Sequence, residues 1–343
     1  CFDVLCVGMA EGTWPNIMQD LAKGCLQKVY RCSRQLQAED IISPAYDLIS
    51  KQDYLYCNIV HTSRGCPFGC DFCYNSGASH QYLKRAIPDV IHDIMEVHSQ
   101  HIMFIDDNFI GDPAWTYQFL QAIKPMKLKW NAAVSANISE LPSLLDEMKD
   151  SGCQSLFIGF ESVNQTSLHA VHKKQNQVKQ YEKLVKMIHE RGMMIHASFV
   201  FGLDEDTPET FSATLDWLIR HKIATVTSHI LTPYPGTKLY ERLKAEGRLL
   251  TDDLSLYNTA NVVFSPAKMT PEELYQGYLE IYQKVYRLKN IIKRLPKAKN
   301  QILPYLVFNL FYRKFGKITD CVCKFISYRR IGYWAEVIAK YLR

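Results

Sequence analysis

The chain has 343 residues, a length that fits one large domain with additions or two domains. Hydrophobic residues make up 47% of it and charged residues 22%, which excludes a wholly disordered or fibrous protein and favours a sizeable buried core. Its net charge of +5 conceals a strong charge asymmetry along the chain, and without an apolar run of about 18 residues we expect no membrane-spanning helix.

Cysteine usage indicates the redox compartment. Eleven cysteines are too few for a disulfide scaffold in a chain of this length, and their number is odd. The first residues also lack the basic and apolar regions of a secretory signal. We therefore expect a cytoplasmic protein with metal-binding thiols.

The first 50 residues predict a fragment of a doubly wound α/β domain. An apolar strand over residues 4–8 is followed by a loop and by a helix over residues 16–23. One strand and one helix are too little to fold alone. Residues 26–56 are polar and contain Ser43-Pro44, which predicts a linker.

From residue 57 onward, apolar strand patterns alternate with amphipathic helix patterns. The predicted strands are residues 57–62, 101–105, 129–134, 155–160, 194–201 and 225–231. The predicted helices are residues 89–98, 113–123, 141–150, 177–191 and 208–221. Repeated βαβ units predict a parallel sheet, and six units are fewer than the eight of a closed barrel. We therefore predict an α/β protein whose residues 51–265 form a partial (β/α)6 TIM-like barrel.

Three cysteines follow the first predicted strand at positions i, i+4 and i+7: Cys66, Cys70 and Cys73. On a helix they would share one face as buried structural thiols, which is the alternative interpretation. Three helix-breaking residues oppose it: Gly65, Pro67 and Gly69. A loop of this kind brings three thiolates around one object and offers backbone amides to its sulfurs.

The missing fourth ligand indicates which metal is bound. Zinc requires a fourth ligand at short spacing, and His80 is the nearest candidate. Three cysteines on a [4Fe-4S] cluster instead leave one iron open for a substrate or cofactor. The loop also lies at the carboxyl end of a strand, where such folds keep their chemistry. We therefore favour the cluster over zinc and over structural thiols.

With Phe72 before the last cysteine, the Cys-x3-Cys-x2-Cys motif resembles that of the radical S-adenosylmethionine (SAM) superfamily over residues 55–265. The resemblance implies a [4Fe-4S] cluster whose open iron binds SAM and whose electron cleaves it to methionine and a 5′-deoxyadenosyl radical. It also implies an electron donor such as flavodoxin or ferredoxin, and a protein that orients the reaction and excludes water.

The resemblance also implies SAM contacts at the strand ends. Asp106 and Asp107 follow the second strand, where the family places the SAM amino group; a solvated turn is the alternative. Ser135 follows the third strand as a candidate donor to SAM. Glu161 closes the fourth strand near the expected ribose or substrate, and Lys173 matches a basic residue that meets the SAM carboxylate, with solvation as its alternative.

Phe201 and Gly202 end the fifth strand, where related enzymes pack on adenine, although barrel core is the plain alternative.

Two further segments resemble cobalamin-linked members. Residues 231–237 resemble a loop of cobalamin-linked enzymes and methylthiotransferases. Residues 7–15 resemble the end of a cobalamin-binding domain, but most of that domain and its cobalt-ligating histidine motif are absent. We therefore expect cobalamin only in a full-length protein or with a partner.

Residues 266–343 predict a basic, aromatic helical extension. From Lys284 onward there are fifteen Lys and Arg against two acids, Asp320 and Glu336, so the preceding residues carry 40 − 15 = 25 basic and 35 − 2 = 33 acidic side chains. Eleven aromatic residues lie between Tyr286 and Arg343. This combination suits peripheral contact with anionic lipid at the inner face of the membrane; nucleic acid is a weaker alternative and a solvated helical face a third.

The sequence therefore predicts a radical SAM enzyme of the cobalamin-associated, methyltransferase-like group. Its expected reaction methylates or rearranges an unactivated carbon of a small substrate, for which the extension suggests a lipid or tetrapyrrole. Two alternatives stay open: a transfer-RNA methylthiotransferase, for which Cys25 and Cys32 do not supply the second set of cluster cysteines, and a non-catalytic metal-binding scaffold.

Overall fold

The structure is a computed structural model that describes residues 2–32, 34–49, 54, 56–76 and 81–325, with the backbone alone for residues 312 and 314–325. His80 and residues 326–343 of the extension lie outside the described residues.

The amino-terminal segment is a small βαβ unit. Strand β1 (Leu5–Val7) leads into helix α1 (Trp14–Ala22), and strand β2 (Val29–Arg31) pairs with β1 in parallel. The strand and helix predicted from the sequence are present. Strand β2 was not predicted, because three residues in a polar segment give no periodic signal.

The central unit begins with short strands that frame the cysteines and continues with the barrel elements. In chain order these are β3 (Ile59–Val60), β4 (Ser63–Arg64), β5 (Leu83–Lys84), α2 (Ile87–Val97), β6 (His101–Phe104), α3 (Pro113–Ile123), β7 (Lys129–Val134), α4 (Pro142–Asp150), β8 (Cys153–Glu161), α5 (Gln165–Ala170), α6 (Val178–Glu190), β9 (Met194–Phe201), α7 (Glu209–Arg220), β10 (Thr225–Ile230) and α8 (Lys238–Ala245). Strands β4 and β5 pair antiparallel on either side of the cysteine loop.

Six strands form one sheet in the order β10-β9-β8-β7-β6-β3, and every neighbouring pair is parallel. At least one helix connects each strand to the next along the chain, as right-handed crossover units require. The predicted α/β fold with six barrel strands is confirmed. The carboxyl ends of all six strands lie along one edge of the sheet, so the loops that follow them meet there.

The two faces of the sheet differ in composition. On β9, Ile195, Ala197 and Phe199 are fully buried against the helices, whereas His196 alternates with them and is only partly buried. Side chains at alternate positions of a strand point to opposite faces. The helix-covered face is therefore the hydrophobic core, and the opposite, concave face is lined by partly buried, mostly polar side chains.

The extension is helical where it is described. It comprises α9 (Pro271–Val285), α10 (Leu288–Lys293) and α11 (Lys299–Phe325). The Tyr282 hydroxyl donates to Ser228 O at 3.1 Å and accepts from its N–H at 3.0 Å, and Tyr286 makes the same pair of bonds with Val226. Helix α9 thus caps the outer edge of β10, which would otherwise expose unpaired backbone groups.

One of the extension's basic residues is structural. Arg294 is 0% exposed and donates to the carbonyl oxygens of Ile223, Ala224 and Val285 and to Asn309 Oδ1. Burial lowers the pKa of its guanidinium. Arg294 therefore fixes α10 and α11 to the start of β10 and does not belong to a surface that contacts anions.

Candidate active site

The cysteine segment folds as a loop at the carboxyl edge of the sheet. Cys70 is 5% exposed, and Cys66 and Cys73 are partly buried. The loop is folded back on itself because Cys73 N–H donates to Cys70 O at 3.1 Å and the Ser76 hydroxyl lies 2.6 Å from the carbonyl oxygens of both cysteines. Three thiols on one helical face, the alternative interpretation of the spacing, do not occur.

Gly65 determines how the loop begins. Its φ of +81° lies in the left-handed region, and a Cβ there would stand 2.0 Å from the carbonyl oxygen of Gln81. Only glycine tolerates both this dihedral angle and the close approach of the Gln81 carbonyl oxygen, which lies just before β5. The two strands β4 and β5 can therefore pair while the cysteines between them remain in a loop.

The three thiols interact electrostatically. Burial, with smaller contributions from the neighbouring Cys70 and Cys73, raises the pKa of Cys66 to about 11, although a hydrogen bond from the Phe68 backbone and the charge of Lys173 oppose this rise. Burial also raises the pKa of Cys73, where Cys70 adds to the effect and Lys173 again opposes it. Three free thiolates would be poorly stabilised at this partly buried site beside a single cation. A cationic cluster would stabilise them, and it must displace the thiol protons to bind.

The donor set of the loop is three cysteine thiols. Three thiolates suit a [4Fe-4S] cluster, because they ligate three of its irons and leave the fourth for another ligand. Among the residues that the structure describes, no group of three or more His, Cys, Asp or Glu side chains lies close enough to share one metal ion.

Asp107 connects the two ends of the loop. Its Oδ2 accepts from Gly65 N–H at 3.1 Å, and its Oδ1 accepts from the Tyr74 hydroxyl at 3.3 Å. These two residues flank the cysteines on either side. Asp107 therefore holds the loop closed from the end of the neighbouring strand.

Asp106 points the other way, toward the peptide that precedes the loop. Its Oδ1 accepts from the hydroxyls and backbone N–H groups of both Thr62 and Ser63. Burial raises the pKa of this carboxyl, and its Oδ2 has no hydrogen-bond partner among the described residues. The contacts of Asp106 are thus to β4, which it ties to the end of β6.

Glu161 and Lys173 form a buried ion pair next to the cysteines. Glu161 Oε1 accepts from Lys173 Nζ at 2.6 Å, and each side chain is about 10% exposed. Lys173 Nζ also lies 5.7 Å from the centre of the Phe72 ring. Burial acts to lower the pKa of Lys173, but Glu161, Cys70 and Cys73 together outweigh it and raise the pKa. Three predicted site residues thus meet at one point, and Lys173 is not a solvated lysine.

Ser135 lies at the same edge within a polar group that the sequence did not reveal. Asn108 Oδ1 accepts from Ser135 N–H at 3.2 Å, and Ser135 Oγ lies 2.5 Å from Asn137 Oδ1. Asn108 is buried, and its Nδ2 has no hydrogen-bond partner in the described part of the chain. The segment Asp106-Asp107-Asn108 offered a signal, but only its carboxylates were considered.

Phe201 and Gly202 occupy a different environment. The Phe201 ring is buried against Phe211, with ring centres 4.6 Å apart, so it belongs to the core, the alternative given for it above. Gly202 has a φ of +101°, and a Cβ there would stand 2.9 Å from Leu274 Cδ2. Asp206 Oδ2 accepts from Gly202 N–H at 3.0 Å and so fixes this turn.

Asp206 is another residue that sequence reasoning missed. It is 1% exposed, and its Oδ1 accepts from Ser167 Oγ at 3.1 Å while its Oδ2 accepts from two backbone N–H groups. Burial nevertheless raises its pKa to about 6. The carboxylate links the turn after β9 to helix α5, and through it to the segment that carries Lys173.

The concave face carries His196 and His229 on the neighbouring strands β9 and β10. His196 Nε2 is hydrogen-bonded to Thr227 Oγ1, and the His196 ring lies 4.9 Å from the ring of Phe157, which is 37% exposed. Burial, with His229 as a second cause, lowers the pKa of His196 to about 4. Burial also lowers the pKa of His229, although Glu161 opposes this. Both imidazoles are therefore neutral at physiological pH.

His229 is oriented by a strained residue. Its Nδ1 lies 3.2 Å from Thr259 Oγ1, and Thr259 has a φ of +64°, which is rare for a β-branched residue. Strained backbone of this kind is found preferentially at functional sites. The concave face thus offers fixed, uncharged hydrogen-bonding groups beside an exposed aromatic ring.

Comparison with known proteins agrees with this geometry. Residues 60–218 match the model of the radical SAM superfamily, and residues 237–319 match a domain of unknown function, DUF4070. Residues 60–218 therefore form a radical SAM domain. Such a domain implies a [4Fe-4S] cluster and SAM as cofactors.

Curated relatives of this radical SAM chain include methyltransferases. It is 28% identical over 299 residues to bacteriochlorophyllide d C-12(1)-methyltransferase of Chlorobaculum tepidum, covering 84% of this chain and 65% of that protein. It is 29% identical over 269 residues to hopanoid C-2 methylase of Rhodopseudomonas palustris, covering 74% and 50% respectively. The chain thus spans between half and two thirds of the length of these two relatives.

Solved structures share the fold of this radical SAM chain. The cobalamin-dependent radical enzyme OxsB, with aqua-cobalamin and SAM bound, superposes with a TM-score of 0.65 at 13% identity, covering 90% of this chain and 55% of that one. The radical SAM methyltransferase TsrM from Kitasatospora setae superposes with a TM-score of 0.59 at 14% identity, covering 77% and 62%. The described helices include none that is long and apolar enough to cross a membrane.

Proposed function

We propose that this chain is the radical SAM core of an enzyme that methylates or rearranges an unactivated carbon of a small ring substrate. The observation that carries the proposal is the loop of three thiols at the carboxyl edge of an open parallel sheet, with a buried Glu161–Lys173 pair beside it. When bound there, the cluster supplies the electron that splits SAM into methionine and a 5′-deoxyadenosyl radical.

The chain's own residues bind and orient these groups. Cys66, Cys70 and Cys73 are the proposed cluster ligands. Asp107 fixes the loop that carries them, and Asp106 fixes the strand before it. Of the proposed SAM contacts, Ser135, Glu161, Lys173 and Phe72 lie at the edge where the loop opens, whereas Phe201 and Gly202 would act through the shape of the fifth strand end.

The concave face supports a neutral substrate. On the concave face, Lys129 lies at one end and Glu161 at the other. The side chains that the six strands direct to this face between those two residues are uncharged. They include Asn131, Phe157 and His196. The related proteins named above modify a tetrapyrrole and a hopanoid, according to their names. A tetrapyrrole or a polycyclic lipid is therefore the proposed class, because these uncharged side chains suit an apolar ring better than an anionic nucleotide.

Cobalamin is proposed as a further cofactor of the whole protein. The βαβ unit before the barrel contacts the cysteine loop directly, because Arg64 forms an ion pair with Glu11. Glu11 lies in the segment that resembles the end of a cobalamin-binding domain. A cobalamin-binding module that continues this unit, in the same protein or in a partner, would therefore adjoin the cluster.

Anaerobic reconstitution tests the proposal. The protein should bind about four irons, and after reduction it should convert SAM to methionine and 5′-deoxyadenosine, measured by chromatography. Cys70→Ala should abolish both, whereas Cys153→Ala removes a buried thiol in β8 and should retain both. Unchanged SAM cleavage by the Cys70 variant, or one zinc per chain without iron, would contradict the proposal.

Two partners complete it. The electron donor is a small reduced protein such as flavodoxin or ferredoxin in the cytoplasm, tested by whether either one replaces dithionite.

Peripheral membrane contact is proposed for the carboxyl-terminal extension. Helix α11 presents a set of exposed apolar residues, namely Leu303, Val307, Phe308, Leu310 and Phe311. With the basic residues of the extension they suit peripheral binding to anionic lipid. Sedimentation with anionic vesicles and not with neutral ones is the expected result, and Phe308→Ser should weaken it.

A further inference from the structure

The cysteine loop is supported from behind by the segment that connects α5 to α6. Asp71 N–H donates to Val171 O at 3.1 Å, and the Asp71 carboxylate lies 2.6 Å from His172 Nδ1. From there the exposure alternates, since His172 and Lys174 are exposed whereas Lys173 is buried and Gln175 partly buried. Both Lys173 and Gln175 reach the cysteine loop, since Lys173 Nζ lies 5.7 Å from the centre of the Phe72 ring and Gln175 Nε2 is hydrogen-bonded to Cys70.

Gln175 contacts a cysteine directly. Its Nε2 donates a hydrogen bond to Cys70 Sγ at 3.4 Å. Cys70 is the most buried of the three thiols, so its sulfur is shielded from water. Hydrogen bonds that it accepts from protein groups are therefore electrostatically stronger. Lys173 adds a positive charge close to the same sulfur.

We propose that Gln175 is a positioning residue that sets the reduction potential of the cluster through Cys70. The inference rests on the proposed function, since it requires a cluster on these thiols. Reduction adds negative charge that is shared with the ligating sulfurs. A donor aimed at one sulfur stabilises the reduced state more than the oxidised one and raises the potential.

The test measures the midpoint potential of the full chain, reconstituted anaerobically, by redox titration followed by electron paramagnetic resonance. Gln175→Leu should lower the potential by an amount of the order of a tenfold change in the reduced-to-oxidised ratio, which is about 59 mV for one electron. The matched control is Gln177→Leu, in the same segment. Gln177 donates to Lys174 O at 3.2 Å and not to a cysteine, so this variant should keep the wild-type potential.

A second variant covers the case in which Gln175→Leu loses iron. Gln175→Lys keeps a donor at this position and adds a charge, so its potential should rise. A wild-type potential in Gln175→Leu overturns the inference. If that variant loses its iron, a wild-type potential in Gln175→Lys overturns it instead. Failure of the wild-type protein to bind iron or to cleave SAM would instead reject the proposed function itself, so the two failures are distinguishable.

Discussion

Glu161 forms an ion pair with Lys173, and its own backbone is left-handed, with a φ of +62°. Glu161 lies where the register between β8 and β9 shifts. Gly159 makes this possible, because a Cβ on it would stand 2.4 Å from Glu161 Oε1 and 3.3 Å from Lys173 Nζ. The strand end is therefore bent so that one buried carboxylate meets one buried ammonium beside Phe72. Such an arrangement is stable only while both charges are present.

Lys173→Met should destabilise the chain by about 3–5 kcal/mol, because it leaves the Glu161 carboxylate buried without its partner. Glu161→Leu combined with Lys173→Met should recover part of that loss, while SAM binding stays impaired. Urea unfolding of the cluster-free chain and calorimetric titration of SAM into the loaded protein measure the two effects. The control is Lys186→Met, since the Lys186–Glu190 pair is exposed and should change stability by less than about 0.5 kcal/mol. Equal effects at both sites would contradict the assignment of a buried pair.

Gly65→Ala should abolish cluster binding, because the new Cβ would collide with the carbonyl oxygen of Gln81 in a backbone conformation that alanine avoids. Gly69→Ala lies in the same loop but meets no atom within 4 Å, so it should retain the cluster. Iron and sulfide content after reconstitution checks both variants. Loss of iron in both would show that any added methyl group disturbs the loop, and that the Gln81 contact is not specific.

Asp107→Ala should shorten the lifetime of the cluster, because it removes the bonds that hold Gly65 and Tyr74 on either side of the cysteines. Each bond is worth about 1 kcal/mol, so the loss of both should raise the rate of bleaching by an iron chelator by up to about 30-fold. Tyr74→Phe removes only the second bond and should have a smaller effect. Anaerobic absorption at the cluster band follows the loss. Identical rates in all three proteins would mean that the loop is held by the cysteines alone.

The pH dependence of stability should reveal Asp206. Its pKa is about 6 in the folded protein against an ordinary value of 3.8, so at a pH between these two values the folded state holds a proton that the unfolded chain releases. This contribution to stability is fully present below about pH 4 and is lost as the pH rises through about 6. Asp206→Asn should remove that part of the slope, measured by urea unfolding from pH 4 to 7. A variant with the wild-type slope would assign the dependence to other groups.

Much of the barrel could be predicted because its signals are local. The alternation of apolar runs predicted the six strands, and the helix predicted over residues 113–123 is present as α3, where Asp112 Oδ1 accepts from the N–H groups of Ala114 and Trp115. The same holds for the cysteine loop, whose glycines and proline exclude a helix. Patterns within about ten residues carry this information directly.

The parts that were missed depend on distant pairings. Gln175 is 105 residues from Cys70 in sequence, and nothing in its neighbourhood distinguishes it from a solvated glutamine. Arg294 looks like one more basic residue of the extension until its carbonyl partners, about 70 residues away, are known. Asp106 and Asp107 are adjacent, yet the sheet sends one side chain to β4 and the other to the loop.

The two tyrosines of α9 make the borders of the sheet unequal. The phenol groups of Tyr282 and Tyr286 satisfy both donors and acceptors on the outer side of β10, so no extended peptide can add itself there. Strand β3 stands at the opposite border and is only two residues long. Growth of this sheet by strand addition, whether in a larger assembly or in misfolded aggregates, is therefore blocked at the β10 border, while at the β3 border the Tyr46 hydroxyl donates to the carbonyl oxygen of Ile59.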